Sequence, residues 1–203
     1  MSNWINKRKK DIYYRRSKRE KYRSRAAYKL LQLNQKYKFL RNISIVIDIC
    51  CAPGSWIQAI QSIKGKNILI LGIDINDIRP IPGNVKFLKF NITSPEITKK
   101  IGPLLPNKAD LIISDCSMHT SGISNLDVER QNYLIKCAFE YIVKPFLKKD
   151  GHFISKVFQG SNINNIKKEF KLYFKFVRFT KPKASLDTSR EMYLICKNFI
   201  KIE

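Results

Sequence analysis

Asp48, Asp74, Asn91 and Asp115 each stand at the carboxyl end of an apolar run, and Lys156 interrupts another. Such positions matter because open α/β sheets bind ligands beyond the carboxyl ends of their strands. The first run ends in VIDICCAPGSW (46–56). Its loop has one glycine, Gly54, and matches neither GxGxxG nor GxxxxGK[ST]. It is therefore a poor cradle for a pyrophosphate or a triphosphate. It is short and apolar, and Gly54 allows close backbone approach to a small, uncharged or cationic group. Asp74, in GIDIN, suits two ribose hydroxyls as an acceptor. Asn91 both donates and accepts, which suits an adenine edge. Each residue alone also reads as a helix cap or turn former. In this order, after this loop, they describe a nucleoside with no phosphate demand. S-adenosylmethionine is such a ligand, and its sulfonium is compatible with a nearby Asp48 or Asp115.

A second set of residues could act on a substrate. Lys156 lies inside FISKVF, where an ammonium is costly to bury unless paired. An edge lysine reaching out to solvent is the plain alternative. The functional reading aims Lys156 at the pocket, with Asp115 beside it on the adjacent strand. Glu191 opens the last strand after TSR, and Lys29 lies on an N-terminal helix. If that helix packs over the sheet top, two cations and two carboxylates converge.

The cysteines, at 50, 51, 116, 137 and 196, are odd in number and form no CxxC, and the only histidines are His119 and His152. A structural zinc site needs four well-placed ligands, so no metal is expected. No secretory pattern opens the chain. The cysteines are therefore expected to be small, buried, reduced thiols without disulfides.

The elements that would hold these residues alternate in type. Strand patterns fall at 43–49, 68–75, 85–90, 109–115, 151–158, 174–179 and 191–199. Helical patterns fall at 24–39, 56–63, 94–101, 126–147 and 162–174, with Ser94 as a candidate N-cap, Pro95 in the first turn and Pro145 at a helix end. Strands this apolar, separated by helices, predict an α/β chain with a parallel sheet covered on both faces. The last two strands, adjacent in sequence, predict a hairpin at one edge.

The chain has 203 residues, 44% of them hydrophobic, which suits one compact domain over 1–203. No apolar run approaches the roughly 20 residues needed to span a bilayer, so an intracellular protein with no membrane partner is expected. The net charge of +23 favours a polyanion. Residues 1–29 hold 12 Lys/Arg against Asp11 and Glu20, with Trp4, Tyr13, Tyr14, Tyr22 and Tyr28 interleaved. Aromatic faces among cations suit stacking on exposed bases, so residues 1–23 are expected to be a basic RNA-binding extension. A solvated tail, a nuclear address and an organelle-targeting segment are the plainer readings.

YRSRAAYKL (22–30), VIDICCAPGSW, LIISDCSMHTSG (111–122), FISKVFQG (153–160) and KPKASLDTSREMYL (181–194) together resemble the FtsJ/RrmJ family of S-adenosylmethionine-dependent RNA 2′-O-ribose methyltransferases. The resemblance spans about residues 11 to 199. It implies a Rossmann-like fold with a seven-stranded, mostly parallel sheet, an antiparallel last strand and helices on both faces. It implies a catalytic tetrad of Lys29, Asp115, Lys156 and Glu191. It implies cofactor contacts at Asp48, Pro53, Gly54, Ser55, Trp56, Asp74, Asn91 and Asp115, and a monomer. The sequence departs from the family pattern at Ser55 (usually Gly), Asn91 (usually Asp) and Ser117-Met118 (usually Ala-Pro).

The implied reaction moves a methyl group to a ribose 2′-oxygen, with Lys156 as base or as charged stabiliser. A uridine of large-subunit ribosomal RNA is the favoured substrate, and the tRNA anticodon loop is the alternative. Compartment follows substrate, with cytoplasm or mitochondrion ahead of nucleolus. The rivals are a nicotinamide-dependent oxidoreductase, which the missing GxGxxG disfavours, and an RNA-binding scaffold with a dead site, which the complete tetrad disfavours.

Overall fold

The computed structural model describes residues 11–117, 123–160 and 163–200. Trp4 and His119 lie outside them. The chain opens with helices α1 (Ile12–Arg19) and α2 (Ala26–Tyr37), followed by β1 (Ile45–Ile49), α3 (Ser55–Lys64), β2 (Leu69–Asp74) and β3 (Val85–Lys89). The second half runs α4 (Ile97–Ile101), β4 (Ala109–Ser114), α5 (Ser124–Ala138), β5 (Leu147–Phe158), α6 (Ile163–Lys171), β6 (Phe174–Thr180) and β7 (Glu191–Phe199). The seven strands form one sheet in the order β3-β2-β1-β4-β5-β7-β6. The pairs among β1 to β5 are parallel, and β7 is antiparallel to both β5 and β6. The edge hairpin is therefore present, with its second strand inserted inward.

Strand residues alternate between two apolar layers, as a period of two requires. Ile47, Ile49, Leu71, Ile112 and Phe153 pack on one face with Ile97, Ile135, Phe139 and Phe170. Val46, Ile70, Leu111, Ile113 and Ile154 pack on the other with Ala27, Leu30, Trp56 and Ile60. Each such side chain contributes roughly 1.5–3 kcal/mol when fully buried. The order reverses between β1 and β4, so the loops after these strands splay to opposite sides and leave a crevice.

Three local expectations are corrected. Helix α4 begins at Ile97 with Glu96 as N-cap and no side-chain cap, so Ser94 and Pro95 instead form the preceding turn. The long helix does not run unbroken to Pro145. It widens to a π-turn over Phe139–Val143 and resumes as Lys144–Phe146. Pro145 cannot donate to the carbonyl of Tyr141 four residues back, and Thr98 Oγ1 donates to that carbonyl at 2.8 Å instead. Finally, Cys50 and Cys116 are joined in a disulfide with Cα atoms 5.0 Å apart. Their separation of 66 residues hid this, because only the side-by-side pairing of β1 and β4 brings their loops together.

Asp110 fixes the start of β1. Its Oδ2 accepts from the amides of Ser44 (2.7 Å) and Ile45 (2.8 Å), and its other oxygen pairs with Lys148. Asp110→Ala strands two amides at a largely buried site and should cost about 1–3 kcal/mol. Urea denaturation would read this as a lower midpoint at unchanged slope, and an unshifted midpoint would refute the anchoring role.

Candidate active site

Strand register assembles most of the site. Ser114 pairs with Ser155 across β4 and β5, so Asp115 and Lys156 are the next residues of adjacent parallel strands. On the other side, Lys156 pairs with Tyr193 and Phe158 with Glu191 across β5 and β7. Helix α2 then lays Lys29 over the strand ends.

The four charged side chains meet in a continuous chain of contacts. Lys29 Nζ lies 2.9 Å from Glu191 Oε2. Lys156 Nζ lies 3.3 Å from Glu191 Oε1 and 2.9 Å from Asp115 Oδ1, and it also donates to the Asp115 carbonyl at 2.9 Å. Lys156 is 5% exposed and Lys29 8%, so the solvent-reaching alternative for Lys156 does not hold. Burial alone would pull the Lys156 ammonium towards neutrality, but Asp115 and Glu191 outweigh it and its pKa rises. Burial pushes the Glu191 carboxyl up, yet Lys156 and Lys29 hold it down at about 2. The resting site therefore contains a charged lysine.

Two residues that the sequence reading passed over complete this network. Tyr193 is fully buried and its hydroxyl donates to Asp115 Oδ1 at 2.6 Å. Burial and then Asp115 push its phenol up, so it remains a donor. Gln131, on α5, donates to the carbonyls of Cys116 (3.0 Å) and Lys156 (3.1 Å). Its signal was a glutamine on the buried face of a helix. Tyr193 carried a weaker signal, since an aromatic in a strand reads as core.

The loop after β1 shapes a cavity of about 110 Å³ lined by Asp48, Ala52, Pro53, Ser55, Trp56 and Asp115, among others. Gly54 has φ +99°, and a Cβ there would stand 2.5 Å from Ile81 Cδ1, so it shapes the loop rather than facing the cavity. Trp56 Nε1 donates to the Ala26 carbonyl at 2.9 Å, and Ser55 Oγ meets Ser24 Oγ at 2.8 Å. Both bonds fasten the loop to the segment that starts α2.

The polar residues at the strand ends differ in what they bind. Asp74 accepts from the Ala52 amide (2.9 Å) and the Asn76 amide (2.8 Å). Asn91 stands two residues past β3 and accepts from the Thr93 amide and hydroxyl, both at 3.0 Å. Neither borders this cavity. Asp48 is 1% exposed and neither carboxylate oxygen has a hydrogen-bond partner. Burial first, then the charges of Asp115 and Asp74, push its pKa well up. A cationic group entering the cavity would meet two carboxyl groups, those of Asp48 and Asp115, and would favour the ionised form of Asp48.

Beyond Pro53 lies a wider cavity of about 460 Å³, bounded by Lys18, Tyr22, Arg23, Asp77 and Arg79. Arg23 donates to the carbonyls of Pro53 (2.8 Å), Arg79 (2.7 Å) and Pro80 (2.7 Å). Tyr28 is buried and takes the rings of Tyr13 and Tyr22 as neighbours, each at 5.6 Å. Of the described tyrosines in this group Tyr28 is the buried one, and Tyr13, Tyr14 and Tyr22 stay half-buried.

Comparison with known proteins gives a consistent picture. A family model described as FtsJ-like methyltransferase matches residues 22–199. Among the most similar relatives, the ribosomal RNA large subunit methyltransferase E of Methanococcus vannielii is 42% identical over 197 residues, covering 97% of this chain and 76% of the relative. The enzymes of that name from Archaeoglobus fulgidus and Pelagibacter ubique are 40% and 39% identical, covering 97% and 96% of this chain and 100% and 95% of theirs. The crystal structure of a protein described as a ribosomal RNA methyltransferase from Plasmodium falciparum superposes with a TM-score of 0.78 at 36% identity, covering 89% of this chain and all of that one.

Asp48 makes a pH-dependent prediction. In the native ligand-free state it holds its proton well above 3.8, whereas in the unfolded chain it ionises near that value. The unfolded state then binds fewer protons, so this group makes stability fall as pH rises from about 4 through the native pKa. Asp48→Asn should remove that slope and leave the ligand-free protein at least as stable as wild type at pH 8. Melting both proteins from pH 5 to 8 tests this; a constant gap between the two curves would refute it.

Proposed function

The chain belongs to the FtsJ-like methyltransferase family, and from that premise we propose that it transfers a methyl group from S-adenosylmethionine to a ribose 2′-hydroxyl of large-subunit ribosomal RNA, at a uridine. The observation that carries this reading is the chain Lys29–Glu191–Lys156–Asp115 beside a cavity with an unpartnered buried acid. The ribosomal substrate, rather than the tRNA anticodon loop, follows from the names of relatives 39–42% identical over nearly the whole chain.

The cavity suits a cationic cofactor. Asp48 and Asp115 offer two carboxyl groups, Pro53 and Trp56 offer apolar walls, and the loop after β1 is not a phosphate cradle. When bound, S-adenosylmethionine supplies a methyl carbon made electrophilic by its sulfonium. Asp48, Asp115, Ser55 and the backbone around Gly54 would hold it, with Asp74 and Asn91 on the side of β2 and β3.

The protein's own groups then act on the substrate oxygen. Lys156, charged in the resting site, donates to the 2′-oxygen and stabilises negative charge as the carbon–oxygen bond forms. Asp115 is the carboxylate beside that oxygen and receives the hydroxyl proton as it becomes acidic. Lys29 and Glu191 fix the position of Lys156, which converts a bimolecular encounter into an aligned one. Tyr193 holds Asp115 by one oxygen. Substrate RNA is drawn by the basic surface of α1 and the segment to Arg23, where Lys18 and Arg79 border the wider cavity. This reading treats residues 1–23 as a basic RNA-binding extension to a single methyltransferase domain.

Lys156→Met preserves side-chain volume and removes the charge. Methyl transfer to isolated ribosomal RNA should fall by about 10²–10³-fold, while cofactor binding by calorimetry persists. The modified nucleotide is mapped by the resistance of its 3′ bond to alkali. Near-normal transfer by the variant would refute the role of Lys156, and label appearing in tRNA rather than ribosomal RNA would refute the substrate.

A further inference from the structure

Helix α5 turns an apolar stripe inward, and one place in it is polar. Val128, Gln131 and Ile135 recur at the spacing of one helical face and all three are buried, Gln131 at 1% exposure. An amide in such a place costs free energy unless it is bonded. Its Nε2 donates to two carbonyls, those of Cys116 at 3.0 Å and Lys156 at 3.1 Å. Its Oε1 is buried with no hydrogen-bond partner among the described residues. The opposite amide orientation would set that oxygen against two carbonyls, so the acceptors fix which way the group points. Both donors therefore serve the backbone, and the acceptor is left unmet.

The bridge falls where the strands begin to part. The parallel ladder between β4 and β5 ends at the pair Ser114–Ser155. Asp115 and Lys156 are the first residues past it, where β4 stops and β5 runs on to Phe158 beside β7. Gln131 joins the two backbones there, with one bond to Lys156 itself and one to the residue after Asp115. The disulfide ties Cys116 towards the loop after β1, and the amide ties it towards β5. One turn before Gln131, Val128 packs so closely on Gly160 that a Cβ on the glycine would stand 2.9 Å from both methyl carbons. Helix α5 is thus seated on the end of β5, which holds the amide where the two carbonyls converge.

We propose that Gln131 is a positioning residue for methyl transfer: its amide sets the distance between Asp115 and Lys156, so that carboxylate and ammonium address one substrate oxygen. It is too deeply buried to touch RNA or cofactor. The inference rests on the reading of Asp115 and Lys156 as the groups that act on the 2′-oxygen. Without the amide, the Lys156 carbonyl keeps the Ser155 hydroxyl at 3.2 Å, but the donor shared with Cys116 is gone. Two carbonyl dipoles then converge on an empty place and the segments separate. Lys156 keeps its charge and loses its alignment.

Gln131→Met keeps the length of the side chain and removes both donors. In the full-length protein, kcat for methyl transfer to ribosomal RNA should fall about 10–100-fold, with KM for RNA and calorimetric affinity for S-adenosylmethionine unchanged. Gln131→Asn keeps the amide but is one methylene short, so it serves one carbonyl at most and should lose less. In a Lys156→Met background, read in single turnover, Gln131→Met should add little further loss, because the group it would misalign is already gone. Near-UV circular dichroism reports folding at the assay temperature. A folded Gln131→Met with wild-type kcat, or a loss carried in full into the Lys156→Met background, overturns the positioning role. Failure of both variants to fold makes Gln131 a core residue alone and overturns it too. A wild-type protein that methylates no RNA overturns the reaction itself, and the role of Gln131 falls with it.

Discussion

A lysine ammonium that is 5% exposed cannot stand alone in an apolar strand, and the arrangement of this end of the sheet follows from how Lys156 is compensated. Two carboxylates must lie within reach of one nitrogen. Asp115 comes from β4 and Glu191 from β7, on either side of β5. A slip of one residue in either register would send one carboxylate to the opposite face and leave the ammonium under-compensated. The charge network thus ties the strand pairing to the site. Glu191 in turn requires the second cation, Lys29, which holds α2 over the sheet.

Hydrogen bonds outside this charge network also converge on α2 and the loop after β1. Trp56 and Ser55 bond to the segment at Ser24–Ala26, and Arg23 spans from Pro53 to Pro80. The segment before β7 is held the same way, with Ala184 bonded to both Arg25 and Gln32. These contacts are individually modest, on the order of 1 kcal/mol each. Together they bring a helix from the start of the chain and a strand from its end to one point.

Much of this was legible in the sequence because it is written in local patterns. The apolar runs carry their own period, and a lysine inside FISKVF announces a compensated charge. The long helix was misread for a reason that sequence spacing cannot show. The helix does end beside Pro145, at Phe146, but the π-turn over Phe139–Val143 leaves no mark in the apolar spacing, and the donor to the Tyr141 carbonyl is Thr98, far away in sequence. The disulfide was hidden in the same way, since Cys50 and Cys116 are neighbours only once β1 and β4 pair. Among the N-terminal tyrosines Tyr28 is buried, which composition cannot show, because it does not tell an exposed aromatic from one that packs inside.

The polar residues at the strand ends separate most clearly when their partners are counted. Asp74 has a backbone donor on each oxygen, and Asn91 closes its own turn, so both are stable without any ligand. Asp48 has none, and it sits beside two like charges. A buried carboxylic acid without partners works against stability in the empty protein, and a cation arriving beside it relieves that cost. The same residue type at equivalent strand ends therefore does two jobs: Asp74 builds the loop, and Asp48 leaves a deficit that favours a positively charged guest.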